Sequence, residues 1–375
     1  MRLFLIGFFV VYGLMHIYAF LRSKASLGLG WSWAAPLAIF MAAMVLAPLI
    51  VWYLEERGLD LGAKALSHLG YMWLGLIFLF VSVSLPLDIY MVLAKGAGTV
   101  LNRNIPALPL SSRAAFFVPF FLSLALLTYG YFDALNIRTE RLTIETPKLP
   151  PGVERLRIVQ ISDVHVGLIV RERRLGRILR KVRELKPDIL VATGDIVDGQ
   201  INRLPGLAEM FRDITPPYGK YAITGNHEFY AGLPQALAFI EGAGFKVLRG
   251  EAVSGVINVA GVEDSTGQYF GSNRLVDESK LLAGLPREKF TLLLKHRPEV
   301  DEASKGLFDL QLSGHTHKGQ IFPFYLVTLT VYPATGRHDL AGGAVMYLSR
   351  GSGTWGPPVR VFAPPEVTLI ELVRK

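Results

Sequence analysis

The sequence predicts two parts of different class: an N-terminal bundle of four membrane-spanning helices, then one α/β domain with its chemistry at strand ends. Three observations predict this. Four apolar runs fill the first 135 residues, each near the ~20 residues a helix needs to cross a bilayer. The composition changes after residue 135, where Arg138, Glu140, Arg141 and Glu145 are followed by Pro147, Pro150, Pro151 and Gly152. Beyond that point, five apolar runs each end in a short polar word bearing a carboxylate, amide or imidazole. An α/β sheet presents a site in this way, at the carboxyl ends of its strands.

The runs are Leu3–Leu21, Trp33–Leu54, Tyr71–Ala94 and Ala114–Leu135. Their uninterrupted apolar character lets a helix satisfy its own backbone in lipid, and Pro36, Pro48, Pro86 and Pro119 are tolerable there as kinks. Trp31, Trp33, Trp52, Tyr53, Tyr129 and Tyr131 lie near the run ends, where interfacial aromatics belong. The first run is long, lacks a clear small-residue cleavage site and is followed by further spans, so a removable signal peptide is a poor reading. The expectation is a multi-pass protein of the plasma (inner) membrane with the lipid bilayer as partner. Orientation is tied: Arg2, Arg57, Lys64, Arg138 and Arg141 would face one side, and Arg22, Lys24, Lys95, Arg103 and Arg113 the other. His16 and Asp88 fall within spans, where an ionisable group marks either function or an interhelical hydrogen bond.

The whole chain has 375 residues and is 51% hydrophobic, more apolar than a soluble enzyme of this size requires. It has no cysteine, which excludes disulfides and thiolate metal sites. A net charge of +8 suits anionic lipid headgroups or phosphate substrates. No nucleic-acid motif accompanies it, so nucleic acid is not expected as a partner.

Residues 1–135 are therefore the transmembrane domain, 136–152 a linker with a possible strand near Leu142–Glu145, and 153–375 the second domain. Within the latter, Arg171–Lys186 reads as a helix. Leu175, Ile178, Leu179, Val182 and Leu185 line one face, and Arg171, Arg173, Arg174, Arg177, Arg180, Lys181 and Arg183 the other. The basic face is either solvated or rests on anionic lipid. Leu204–Arg212 and Pro234–Ala243 read as shorter helices. Val256–Ala260, Gly342–Leu348 and Val367–Leu372 read as strands. Ile321–Pro333 reads as a core strand with a turn, or as an apolar lip meeting a bilayer or an acyl chain.

The site words follow in order. Leu156–Ile161 leads to Asp163 and His165, and Ile189–Ala192 to Gly194-Asp195. Tyr221–Ile223 leads to Gly225-Asn226-His227, Thr291–Leu294 to His296, and Asp309–Leu312 to Gly314-His315-Thr316-His317. Five of the eight histidines fall in these words, together with the carboxylates, so they are not scattered core residues. Asp163, His165, Asp195, Asn226, His296, His315 and His317 offer hard oxygen and imidazole nitrogen. That set suits two divalent ions of the Mn, Fe or Zn kind, or a mixture, handling a phosphate. A carboxylate such as Asp195 can bridge two cations. His227, next to Asn226, lies beside the metals without necessarily binding one. Arg337 and Arg350 are candidate substrate-phosphate contacts.

In this order, Asp-x-His, Gly-Asp, Gly-Asn-His, a lone His and Gly-His-x-His resemble the calcineurin-like metallophosphoesterase superfamily across residues 156–320. The resemblance implies a four-layer αββα sandwich. It implies Asp163, His165, Asp195 and His317 around one metal, and Asp195, Asn226, His296 and His315 around the other. It gives His227 as proton donor to the leaving group, or as a stabiliser of the transition state. The segment from Gly314 to Gln320, with Ser349–Pro358, is similar to bacterial membrane-anchored members. Some relatives of these cleave phospholipids or the pyrophosphate bond of UDP-2,3-diacylglucosamine. Four spans rather than a short anchor depart from the simplest of them.

The expected activity is hydrolysis of a phosphate ester or pyrophosphate, on a lipid-linked substrate, by a metal-activated hydroxide. A general nucleotide or phosphodiester phosphoesterase merely tethered by the spans is the alternative. A non-catalytic metal-bound sensor or docking module is a third reading, disfavoured by the complete ligand set.

Overall fold

The computed structural model describes residues 2–102, 111–199, 206–272 and 276–375. Arg103 of the charge tally and Leu204, the expected start of a helix, lie outside them. The chain divides into two compact units, Met1–Tyr131 with Pro357–Val359, and Phe132–Gly356 with Arg360–Lys375.

The first unit holds four helices: α1 (Arg2–Leu27), α2 (Trp31–Glu56), α3 (Asp60–Leu101) and α4 (Ser112–Asp133). All four are long and apolar enough to cross a membrane. Each runs past the apolar run that foretold it at one end or both. α3 has 42 residues, about 63 Å at the helical rise, against the ~30 Å of a bilayer core. Its extra turns carry the charged residues Asp60, Lys64 and Lys95.

Helix α1 likewise continues past Leu21, and this brings Arg22 inside the bundle. Arg22 forms an ion pair with Asp88 of α3, and its Nη2 donates to the carbonyl of Ala115 in α4 at 2.6 Å. Tyr18 donates to the same Asp88 carboxylate at 2.6 Å. His16 accepts at Nε2 from the indole of Trp73 at 2.9 Å and reaches the Tyr12 carbonyl at 2.8 Å. Both ionisable groups within the spans thus take part in interhelical hydrogen bonds.

The second unit is built on two six-stranded mixed sheets. The strands are β1 (Arg138–Thr146), β2 (Arg155–Ile161), β3 (Ile189–Thr193), β4 (Lys220–Ile223), β5 (Lys246–Val247), β6 (Glu251–Ser254), β7 (Asn258–Gly261), β8 (Thr291–Leu294), β9 (Leu310–Ser313), β10 (Gly336–Asp339), β11 (Val345–Leu348) and β12 (Glu366–Arg374). One sheet runs β1-β12-β2-β3-β4-β5 and the other β10-β11-β9-β8-β7-β6. β2, β3, β4 and β5 are mutually parallel, as are β7, β8, β9 and β11.

Alternation along the strands builds the layers. Leu156, Ile158, Ile189 and Val191 pack against Val259, Leu292, Leu294, Leu310 and Leu312 between the sheets. Val159, Ile161, Leu190 and Ala192 point the other way, onto helices α5 (Glu172–Leu185), α6 (Leu207–Arg212) and α8 (Leu233–Gly242), with α7 (Asn226–Tyr230) between the last two in the chain. Ala260 and Leu293 cover the far face with Leu282 of α9 (Glu278–Ala283). The result is the four-layer αββα sandwich.

Three expectations are corrected. Residues 136–152 are not a linker, because β1 pairs in parallel with β12 from Arg138↔Glu366 to Thr146↔Arg374. Leu142 is buried in the core between the sheets. Residues 321–333 hold no core strand: Phe324–Thr328 forms a short helix, α10, and Phe322, Leu326, Val327 and Val331 are exposed. The strand expected over 342–348 begins only at Val345, since Ala341–Gly343 form a 3₁₀ turn.

Candidate metal centre

The carboxyl ends of β2, β3, β4, β8 and β9 lead directly into the five polar words. Parallel pairing puts these ends on one edge, and facing sheets bring the two sets together. Asp163, His165 and His317 present ligand atoms within 4.8 Å of one another. So do Asp195, His296 and His315, and so do His165, Asp195 and His227.

Asp195 lies between the groups. Its Oδ2 is 3.2 Å from His296 Nε2 and 3.9 Å from His165 Nε2. Its Oδ1 accepts the main-chain N–H of His227 at 2.8 Å. On one side, His317 Nε2 is 3.0 Å from His165 Nε2 and 3.4 Å from Asp163 Oδ1. On the other, His296 Nε2 is 3.3 Å from Asn226 Oδ1 and 3.2 Å from His315 Nδ1. The other six expected ligands are therefore brought together around the Asp195 carboxylate.

The backbone at the site is unusual. Asp163, His165, Asp195, His315 and His317 all adopt positive φ, between 48° and 76°. Left-handed backbone at a non-glycine residue costs on the order of 1 kcal/mol or more, and it concentrates at functional sites. Close approach explains two of the glycines. A Cβ on Gly225 would run into the Asp195 carboxylate, and one on Gly314 into Ser162 Oγ and the Asp163 carboxylate.

Second contacts hold the loops. Ser162 Oγ donates to Asp163 Oδ2 at 2.5 Å, and the His315 N–H donates to Asp163 at 3.0 Å. The Glu228 carboxylate is fully buried and accepts the N–H groups of Asp195, Ile196 and Gly225 at 2.6–3.0 Å. It thereby ties the loop after β3 to the loop after β4.

The electrostatics favour a cation. Burial pushes Asp163 up to about 6; His296 opposes this, and the Asp195 charge adds to it. Burial also works to raise Asp195, but the surrounding histidines outweigh it and hold the carboxyl well below its usual range. Burial lowers His165 to about 4, so that ring is neutral. Burial likewise lowers His315 and His317, whereas at His296 burial is outweighed by the Asp195 charge, which raises that ring to about 10 and leaves it a proton that a bound cation would displace. Imidazole nitrogen, carboxylate and amide oxygen, with no thiolate, form a donor set that fits borderline divalent ions. The residues present thus fit divalent metal.

His227 sits beside the cluster. Its Nδ1 is 2.9 Å from Asp198 Oδ1. Burial opposes its charge, but Asp195 and Asp198 prevail and raise its pKa to about 9. Its ring meets Trp355, Tyr230 and His165 edge-on, with centroids 5.5, 5.3 and 4.6 Å away.

The two arginines proposed for substrate phosphate are placed otherwise. Arg350 is paired with Glu140 and Glu366, its Nε 2.6 Å from Glu366 Oε2. Two carboxylates leave its guanidinium little charge to offer an anion. Arg337 pairs with Asp339 on the exposed hairpin strand β10. Neither has a hydrogen bond to the cluster among those described. The sequence reading missed Asp198 and Glu228. Both lie within three residues of a site word, so proximity was a usable signal.

Comparison with known proteins agrees with this geometry. A family model described as calcineurin-like phosphoesterase matches residues 156–319. An uncharacterized metallophosphoesterase of Aquifex aeolicus is 42% identical over 259 residues, covering 68% of this chain and 99% of the relative. A Danio rerio protein described as a transmembrane protein with metallophosphoesterase domain is 29% identical over 361 residues, covering 91% of this chain and 80% of the relative.

Proposed function

This chain belongs to the calcineurin-like metallophosphoesterases, metal-dependent phosphoesterases, and from that premise we propose that it is a membrane-anchored hydrolase with two divalent cations, acting on a lipid-linked phosphate ester or pyrophosphate. The observation that carries the dinuclear reading is Asp195, whose carboxylate belongs to ligand groups on both sides of it. In this reading, Asp163, His165, Asp195 and His317 hold one cation, and Asp195, Asn226, His296 and His315 the other. Mn, Fe and Zn all suit these donors. Bound cations supply Lewis acidity toward phosphoryl oxygens and make water a nucleophile near neutral pH.

The chain's own residues supply the rest. His227 keeps its proton at neutral pH, and Asp198 holds the ring by Nδ1. That leaves Nε2 to protonate the departing oxygen, a role worth ~10²–10⁴-fold. Asp195 orients His227 through the N–H contact described above.

Two features support a lipid-linked substrate. The chain carries four apolar helices of membrane-crossing length. The exposed apolar segment around α10 follows His317 directly, and at its far end the Tyr332 ring meets His315 edge-on, centroids 5.3 Å apart. We also propose a multi-pass arrangement in the inner membrane; protease or reporter mapping of the carboxyl terminus tests it. The substrate test is a turnover comparison in detergent, using Mn-loaded protein with lipid phosphates and with bis-p-nitrophenyl phosphate. Preference for the lipids is expected. Equal turnover would favour the tethered general phosphoesterase.

A further inference from the structure

Helix α4 ends at Asp133, and residues 134–137 are all that separate it from β1. Tyr129 and Tyr131 stand near that end, where interfacial aromatics belong. With α4 crossing the bilayer, Leu135 falls at headgroup depth. Its carbonyl is gripped from α5: Arg177 Nη1 donates to it at 3.3 Å. Leu135 and Arg177 both belong to the second unit. Arg174, Arg177 and Lys181 follow one another at i, i+3 and i+7 on α5, so they share one edge of that helix. Arg173 and Arg180 are exposed on the strip beside it. Among the described residues, Arg173, Arg177 and Arg180 form no ion pair. Lys181 pairs with Glu184 at 2.9 Å on the helix surface, a contact worth little in water.

At this edge the protein is hollow. Leu135, Arg174, Arg177, Ile178, Gly353 and Thr354 are among the residues that line a cavity of about 10 Å³. Thr354 is 3% exposed, and its Oγ1 has no hydrogen-bond partner. A buried hydroxyl left unpaired is costly. Here it shares a cavity with two guanidinium side chains, and that combination of donors calls for an anionic oxygen. The volume admits one oxygen, either a water or a single corner of a phosphate. The rest of such a ligand must lie outside, over the basic edge. A lipid phosphate meets this requirement, because its headgroup already stands at the level of Leu135. The neighbouring cations Arg173, Arg180 and Lys181 suit the anionic surface around that lipid.

We propose that Arg174, Arg177 and Thr354 form a binding site for the headgroup phosphate of an anionic phospholipid, at the point where the chain leaves the bilayer. This rests on the multi-pass arrangement proposed above and is independent of the metals. The test places the full chain in phosphatidylcholine nanodiscs. These carry a trace of phosphatidylglycerol or of phosphatidylcholine, each with the same photoreactive headgroup, and cross-linked peptides are identified by mass spectrometry. Labelled phosphatidylglycerol is expected on the peptides of α5 and of residues 352–354, several-fold above labelled phosphatidylcholine. Arg174→Gln and Arg177→Gln should each lower this labelling roughly fivefold, the effect of one cation near an anionic surface. Thr354→Val, which keeps the shape and loses the hydroxyl, should lower it too. Melting temperatures should stay near wild type. Should Arg177→Gln not fold, Arg174→Gln and Thr354→Val decide. Equal labelling by the two lipids overturns the proposal, as does wild-type labelling in those folded variants, which leaves the cavity to water. Displacement of the label by inorganic phosphate also overturns it, since free phosphate is then the ligand. Release of the wild-type chain from membranes by alkaline carbonate would instead overturn the multi-pass reading beneath it.

Discussion

The main-chain N–H of His227 donates to Asp195 Oδ1 at 2.8 Å, so the carboxylate shared by the ligand groups and His227 are set by one contact. Any change that moves Asp195 moves His227 with it. The site is in this sense one unit, and its substitutions should not act independently.

Asp195→Ala removes the shared carboxylate. Metal content measured by elemental analysis should drop, and turnover should fall by ~10³-fold or more. The helical circular-dichroism signal of the membrane unit should persist. Near-wild-type hydrolysis by a clean Asp195→Ala preparation would sink the assignment.

Asp198→Asn leaves the metal ligands untouched but removes one of the charges that raise His227 to about 9. The group is active when protonated, so activity is lost as pH rises through its pKa. With that pKa lowered, the alkaline limb of the rate profile should move to lower pH. His227→Gln should cost ~10²–10⁴-fold on alkyl esters. It should cost less on p-nitrophenyl esters, whose leaving group needs no proton. Equal losses on both would remove His227 from the role of acid.

Gly225→Ala places a methyl group against the Asp195 carboxylate. Overpacking of this kind costs about 1–3 kcal/mol. Both the melting temperature and the metal stoichiometry should fall. An unchanged metal content would mean that the loop can yield without moving Asp195.

Chelation should destabilise the second unit. A ligand present at a hundredfold excess over its Kd stabilises the fold by ~2.7 kcal/mol. Differential scanning calorimetry with and without a chelator should show the transition of this unit lowered, and restored by added Mn²⁺. None of the seven candidate ligands belongs to the first unit, so its transition should not move.

Arg350→Gln separates structure from substrate contact. Its guanidinium pairs with the buried Glu366. Removing one partner of a buried pair costs about 3–5 kcal/mol. A lower melting temperature with KM unchanged is expected; a raised KM at unchanged stability would restore the phosphate-binding role.

Much of this site was legible because its words are local. Asp163 and His165, Gly225-Asn226-His227, and His315 with His317 each lie within a turn of the strand that presents them. A strand end and a polar residue type are both readable from adjacent letters. Arg350 misled because a basic residue in a glycine-rich loop looks available to an anion. Its true partners, Glu140 and Glu366, sit on the neighbouring strands β1 and β12. The linker reading failed for a related reason. Arg138–Thr146 has few fully buried residues and acquires its strand partner only from the far end of the chain.

By itself the sequence determined the two-part organisation, the four apolar helices, the strand ends that carry chemistry and the identity of the candidate ligands, because these depend on residue type and short-range spacing. The tertiary structure alone decided which ligand atoms meet across Asp195, that five of those residues adopt left-handed backbone, and that Glu228 ties the loop after β3 to the loop after β4. These are contacts between chain segments far apart in sequence. Distance along a chain carries no information about them until two sheets have packed face to face.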